Sequence, residues 1–116
     1  MWSMSDVWML RSIGGRDEAT GVSLRSVLAA ADYHNHAIPE EDELCGAVGR
    51  LIGAGLVAAD GGGDRYWLTA AGAPLAHRPG TLAAGLAELQ KLPVPAAAPW
   101  VLPPGAFRAA VEAYLG

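Results

Sequence analysis

The sequence lacks the features that several classes of protein require. It has one cysteine, Cys45, so no internal disulfide can form, which fits a reducing compartment. Its longest apolar stretch, residues 92–104, carries prolines at positions 93, 95, 99, 103 and 104 and therefore cannot form a membrane-spanning helix. The N-terminus has no basic segment and carries Asp6, so we expect no signal peptide. Together these absences predict a cytoplasmic protein that does not enter a membrane.

Charge is also scarce, and it is mostly negative. Charged residues make up 17% of the chain, and 12 acids against 8 bases give a net charge of −4. This balance argues against loose electrostatic binding to nucleic acid. Lys91 is the single lysine, and the preference for arginine beside many alanines, glycines and prolines indicates a high-GC bacterial genome. With 116 residues, of which 52% are hydrophobic, the chain is long enough for one domain with a modest core.

Hydrophobic spacing and capping residues predict three helices in the first half of the chain. We expect Ser5 to cap a first helix that ends near Ile13, before two glycines. Ser23 is expected to cap a second helix over residues 24–33, followed by a turn that ends at Pro39. A third helix then runs from about residue 40 to 54, and the acids at its start suit the positive end of a helix dipole.

The stretch from residue 47 to 72 is the most informative part of the sequence. Val48 and Leu51 lie at helical spacing, and Gly55 stands where a left-handed residue would end the third helix. Two short apolar runs, residues 56–59 and 65–68, then flank a glycine-rich turn, which predicts a β-hairpin.

The second half of the sequence is interrupted by prolines. After the hairpin, Thr69 can cap a short turn that Pro74 is expected to interrupt. Leucine spacing predicts a helix over residues 81–92, a proline-rich linker follows over 93–104, and a last helix is expected over 106–115.

A third helix followed by a glycine stop and a hairpin resembles the last helix and the wing of a winged helix-turn-helix domain. Bacterial transcription regulators of the MarR and PadR type carry such a domain. The resemblance implies a mainly α fold with a small β-hairpin. It also implies a winged-helix domain over residues 1–78, and we expect a helical, proline-interrupted extension over residues 79–116.

The resemblance implies DNA binding, in which the third helix enters the major groove and the wing contacts the backbone. The candidate contacts are Arg50 and Arg65, with Arg25 as a further member of the patch. Against them stand six acids between residues 40 and 72: Glu40, Glu41, Asp42, Glu43, Asp60 and Asp64. Carboxylates that face phosphates are repulsive, and two arginines release few counterions. A scaffold that binds protein or forms a dimer without contacting DNA is therefore the alternative.

Neither catalysis nor metal binding is indicated. The acids at residues 40–43 are consecutive around a helix start and do not converge on one point, and Gly61–Gly63 lack the Lys-Ser/Thr that follows a phosphate-binding loop. His34, His36 and Cys45 match no zinc-ligand spacing, so we interpret the histidines as part of a polar turn. We expect no enzyme activity, cofactor or metal site.

The extension carries more apolar surface than a small winged helix can cover. Leu82, Leu86 and Leu89 form one stripe, and Phe107, Val111 and Tyr114 form another. Exposed stripes of this kind predict a homodimer that depends on the chain from Thr81 onward. The protein partner of the alternative scaffold stays open.

Three glycines line one side of the third helix, opposite its apolar side. Gly46, Gly49 and Gly53 are spaced three and four residues apart. One interpretation is compositional drift in a glycine-rich chain. The other is that a backbone or an aromatic ring approaches this side closely, from the same chain or from a partner. The candidate interaction surface comprises Gly46, Gly49, Gly53, Trp100, Phe107 and Tyr114.

Overall fold

The computed structural model describes residues 1–116 and places a two-stranded antiparallel hairpin among six helices. The helices are α1 (Met4–Ser12), α2 (Leu24–Asn35), α3 (Glu41–Gly53), α4 (Gly72–Ala76), α5 (Leu82–Leu89) and α6 (Ala106–Leu115), and the strands are β1 (Val57–Asp60) and β2 (Arg65–Leu68). The predicted class, mainly helical with one small hairpin, is confirmed. None of the helices combines the length and the hydropathy needed to traverse a bilayer.

The first helix begins earlier than its sequence suggests. Ser3, and not Ser5, is the N-cap residue, because Asp6 reaches back to accept the Ser3 N–H at 2.8 Å in a capping box. The hydroxyl of Ser5 donates instead to Glu43 at the start of α3. The expected Ser5 cap is therefore wrong, and Ser5 joins two helices.

Helix ends elsewhere follow local backbone geometry. Ser23 caps α2 as predicted, accepting the Ser26 N–H at 3.1 Å, but the helix continues to Asn35 and ends at His36, whose φ of 52° is left-handed. Gly55, with φ of 75°, ends α3 as predicted. The Leu56 N–H donates to the Leu51 C=O at 3.0 Å, the hydrogen bond that commonly closes a helix followed by a left-handed glycine.

Pro74 does not interrupt the turn after the hairpin. It lies in the first turn of α4, where backbone N–H groups have no partner within the helix, so the missing N–H of proline breaks no helical hydrogen bond. The expected interruption is therefore wrong. Helix α5 ends at Leu89 instead of residue 92, whereas α6 occupies the predicted residues.

The hairpin is extended on one side by the loop between α1 and α2, which pairs with β2. Val57 pairs with Leu68 and Ala59 with Tyr66, so these residues share the face that is turned to the core. The loop between α1 and α2 runs along the outer edge of β2, where Val22 and Tyr66 exchange two hydrogen bonds of 2.9 Å. This loop pairs the strand edge that would otherwise be free.

The core lies where α1, α2 and α3 meet, and the extension packs back onto it. Met9, Leu28 and Leu44 are completely buried at this junction. In the extension, α5 packs on α1 and α6 packs on α2. Leu89 is buried, and Leu82, Leu86, Phe107 and Val111 are half-buried against the core. The apolar stripes of the extension are thus largely covered within one chain.

A buried ion pair connects α1 to α3. Asp6 is completely buried, and its Oδ1 accepts the Arg50 Nε–H at 2.8 Å while Oδ2 accepts the N–H of Ser3. An isolated carboxylate in this position would be costly, so both the guanidinium and the backbone donor are needed.

Replacing Arg50 by alanine should lower the free energy of unfolding by about 3 kcal/mol, because it leaves the Asp6 carboxylate buried without its cation. This value is the low end for a buried pair, since the Arg50 side chain is 32% exposed. The matched control is Arg108→Ala, whose pair with Glu112 is exposed and should contribute less than about 0.5 kcal/mol. Urea unfolding at neutral pH measures both, and equal effects would contradict a structural role for the Asp6 pair.

Candidate interaction surface

The outer side of α3 is covered by residues 94–100, here called the strap. A Cβ atom on Gly49 would collide with the Ala98 carbonyl oxygen and would lie 3.0 Å from Pro99 Cα. A Cβ on Gly53 would lie 2.8 Å from Ala97 Cβ. Separations of this kind exclude any side chain at either position unless the strap moves. The same chain therefore makes the close approach to this side, with backbone over Gly49 and with side-chain carbons of Pro95 and Ala97 over Gly53.

The strap can lie on the helix because of its composition. Its prolines have no N–H group that would need a partner, and its alanines are small enough to approach the helix. One backbone hydrogen bond holds it, from Trp100 N–H to Cys45 C=O at 2.9 Å. The strap and the glycines of α3 therefore pack against each other, and the composition of each permits the close approach of the other.

Trp100 extends the contact from α3 to the hairpin. Its ring packs edge-on against Tyr66, with centroids 6.2 Å apart, and its Nε1–H donates to the Tyr66 hydroxyl at 3.1 Å. The same ring closes over Gly61, where a Cβ would lie 3.3 Å away. Trp100 is half-buried, and it is the aromatic residue that this surface uses.

The other members of the predicted surface lie elsewhere. A Cβ on Gly46 would face the Arg50 guanidinium at 3.3 Å and would meet no part of the strap. Phe107 and Tyr114 belong to α6, which packs on α2, and the Tyr114 hydroxyl donates to Asp32 at 2.6 Å. The structure therefore brings together Gly49, Gly53 and Trp100 and separates them from the remaining three.

The arginines proposed to contact DNA are spread over different surroundings. Arg50 is drawn inward by Asp6, as described above. Arg65 is exposed at the base of the hairpin turn and donates to the Glu18 carbonyl at 2.9 Å. Arg25 is exposed in the first turn of α2. At the start of α3, Glu40, Glu41 and Asp42 face solvent.

A cleft of about 400 Å³ lies between the start of α2, the hairpin turn and α6. Its wall is mostly apolar and includes Leu24 and Leu102, while its polar residues are Arg25, Asp64 and Tyr66. Asp64 has a structural role, because its carboxylate accepts the Leu24 N–H at 2.9 Å at the start of α2. The sequence gives no signal for this cleft, since its walls come from three distant segments.

Cys45 and the histidines at the end of α2 do not combine into a metal-binding group. Burial, with smaller effects of Glu41 and Asp42, raises the pKa of Cys45, so its thiol is less ionised than usual and a poor nucleophile. No three His, Cys, Asp or Glu side chains form a group that could hold a metal ion. His34 and His36 are exposed at the end of α2.

Substituting the glycines of α3 should separate covered from open positions. Gly46→Ala should stabilise the protein by about 0.5–1 kcal/mol, because it removes a glycine from a helix. The new Cβ would lie 3.3 Å from Arg50 Nη1, which needs to move only slightly, and the hydrogen bond from Arg50 Nε to Asp6 can stay in place. Gly49→Ala should destabilise it by about 1–3 kcal/mol, because the strap is displaced or compressed. Urea unfolding gives the two signs, and Trp fluorescence reports the strap. Equal stabilisation by both substitutions would mean that the strap does not contact Gly49.

Tyr66 should make the protein sensitive to alkaline pH. Burial raises the pKa of Tyr66 above its ordinary value of 10.0, an effect that the hydrogen bond from Trp100 partly opposes. The folded state therefore holds the Tyr66 proton more tightly than the unfolded state does. The protonated hydroxyl stabilises the fold below pH 10, and this contribution is lost as the pH rises through the raised pKa of Tyr66. Urea unfolding across alkaline pH should show a steeper decline for the unmodified chain than for Tyr66→Phe. Tyr33→Phe, at a residue that is 81% exposed, is the matched control for the loss of one phenol hydroxyl.

Comparison with known proteins adds no family to these observations. No protein-family model matches the chain, and no match is found among curated proteins or among solved structures.

Proposed function

We propose that this chain is a non-catalytic, winged-helix-like binding protein whose third helix contacts protein and does not read DNA. The order of elements supports a winged-helix frame, with three helices followed by a hairpin whose outer strand pairs with the loop between α1 and α2. The frame alone does not decide the function, because one fold serves many functions.

The observation that carries the proposal is the strap on the outer side of α3. An α-helix with its side chains is about 10–12 Å across, which already fills a major groove about 12 Å wide. Here a further layer of chain lies on Gly49 and Gly53. A helix carrying that layer is too thick to enter the groove with this side toward the bases.

The charges of α3 favour the same function. Its N-terminal turn, the part that contacts bases in helix-turn-helix proteins, carries the acids Glu41, Asp42 and Glu43. Its one arginine, Arg50, is paired with the buried Asp6. Carboxylates near phosphates oppose binding, and a paired arginine releases few counterions. The transcription-regulator alternative is supported by the order of the elements and by exposed Arg25 and Arg65.

A salt series with labelled mixed-sequence duplex DNA tests the proposal. Fluorescence anisotropy should show weak binding with no clear slope in log affinity against log salt, and Arg25→Ala with Arg65→Ala should leave it unchanged. The variant Glu41→Arg with Asp42→Arg shows that the assay is sensitive, because it should bind more tightly at low salt. Appreciable affinity of the unmodified chain, falling steeply with salt, would support a DNA-binding regulator and overturn the proposal.

A further inference from the structure

Residues 93–116, here called the tail, include the strap and α6 and lie shallowly on the rest of the chain. None of these residues is buried, whereas Leu89 just before them is 1% exposed. A segment with no buried side chain is among the first to open in a folded protein.

Few polar contacts fix the tail to the core. Trp100 donates to the Cys45 carbonyl and to the Tyr66 hydroxyl, and Tyr114 donates to Asp32. The prolines of the tail have no N–H to lose. Release of the tail therefore breaks a small number of hydrogen bonds, and water can replace the partners on its exposed groups.

The surface under the tail, unlike the tail itself, contains residues that are buried in the folded chain. Tyr66 is 2% exposed and Cys45 is 8% exposed while the tail is in place. Without Trp100, the Tyr66 hydroxyl loses its donor, and the glycine side of α3 becomes an open groove. Apolar surface of this kind favours rebinding of a matching segment.

We propose that a second copy of this chain docks on this surface by exchanging tails, so that the tail of each copy covers α3 and α2 of the other. The occupant is a second copy because its tail carries the complement of this groove residue by residue, with Trp100 for Tyr66 and the strap for Gly49 and Gly53. The proposal rests on the proposed use of α3 for protein contact.

The hinge of the exchange is the segment Lys91–Pro93. All three residues are exposed, and the hydrogen bond from Trp2 Nε1–H to the Leu92 carbonyl at 3.0 Å joins the segment to the residues that precede α1. Contacts of tail and groove are the same in the monomer and in the exchanged dimer, so concentration sets the balance between them. The competing quantity is the effective concentration of the tethered tail, which is of the order of millimolar for short flexible connections.

Complementation between two full-length variants tests the exchange. Gly49→Leu blocks the groove and leaves the tail intact, whereas Trp100→Ala with Phe107→Ala weakens the tail and leaves the groove intact. Each variant alone should be monomeric, since neither offers both a good tail and a good groove. Their equimolar mixture should contain a heterodimer of twice the monomer mass, detected by light scattering and by native mass spectrometry. Circular dichroism checks that each variant is folded, and Gly53→Leu replaces Gly49→Leu if the latter is not.

Two results would overturn the exchange. One is a mixture that stays monomeric although both variants are folded. The other is dimerisation of either variant alone, which would place the contact outside the tail and groove. The proposed function is tested independently of the exchange. Salt-dependent binding of the unmodified chain to DNA would reject that function, and it would not change the molecular masses measured for the two variants and their mixture.

Discussion

The carboxylate of Asp6 is completely buried, and the way its oxygens are satisfied determines how α1 meets α3. Oδ2 accepts the N–H of Ser3, which fixes the start of α1, and Oδ1 accepts from Arg50, which fixes the rotation of α3. The same bond draws the Arg50 guanidinium across Gly46. The outer side of α3 beyond that point carries no long side chain, and this is where the strap lies.

The glycine side of α3 costs helix stability and recovers it through packing. A glycine inside a helix costs about 0.5–1 kcal/mol relative to alanine. At Gly49 and Gly53 this cost is offset by contact with backbone and proline carbons that any side chain would exclude. Gly46 has no such compensation, because only Arg50 lies above it. The spacing of the three glycines therefore marks the correct side of the helix but overstates the length of the contact.

Local signals predict local structure well in this chain. Ser23, Gly55 and the limits of α6 follow from rules that involve neighbouring residues only. One error arises where a distant partner decides, and another where the position of a proline within its helix decides. Ser5 resembles a cap, but its hydroxyl bonds to Glu43, which comes from another helix. Pro74 resembles a helix breaker, but a proline in a first turn removes no helical hydrogen bond.

The candidate site shows the same division between local pattern and distant contact. Spacing alone identifies the glycine side of α3, and an isolated tryptophan in a linker indicates an aromatic that needs a surface. That Trp100 lies over Tyr66, and that Phe107 and Tyr114 pack on α2 instead, depends on the path of the chain between residues 90 and 106.

That path also bears on the proposed function, because it decides which groups lie on the outer side of α3. The glycines remove the long side chains from the outer side of α3, and Asp6 holds its one arginine inward. The strap then lies over Gly49 and Gly53. Beneath the strap, α3 therefore forms a shallow groove lined by Gly49 and Gly53. Such a groove is suited to extended polypeptide, because small side chains admit a backbone at a distance that bulky ones exclude.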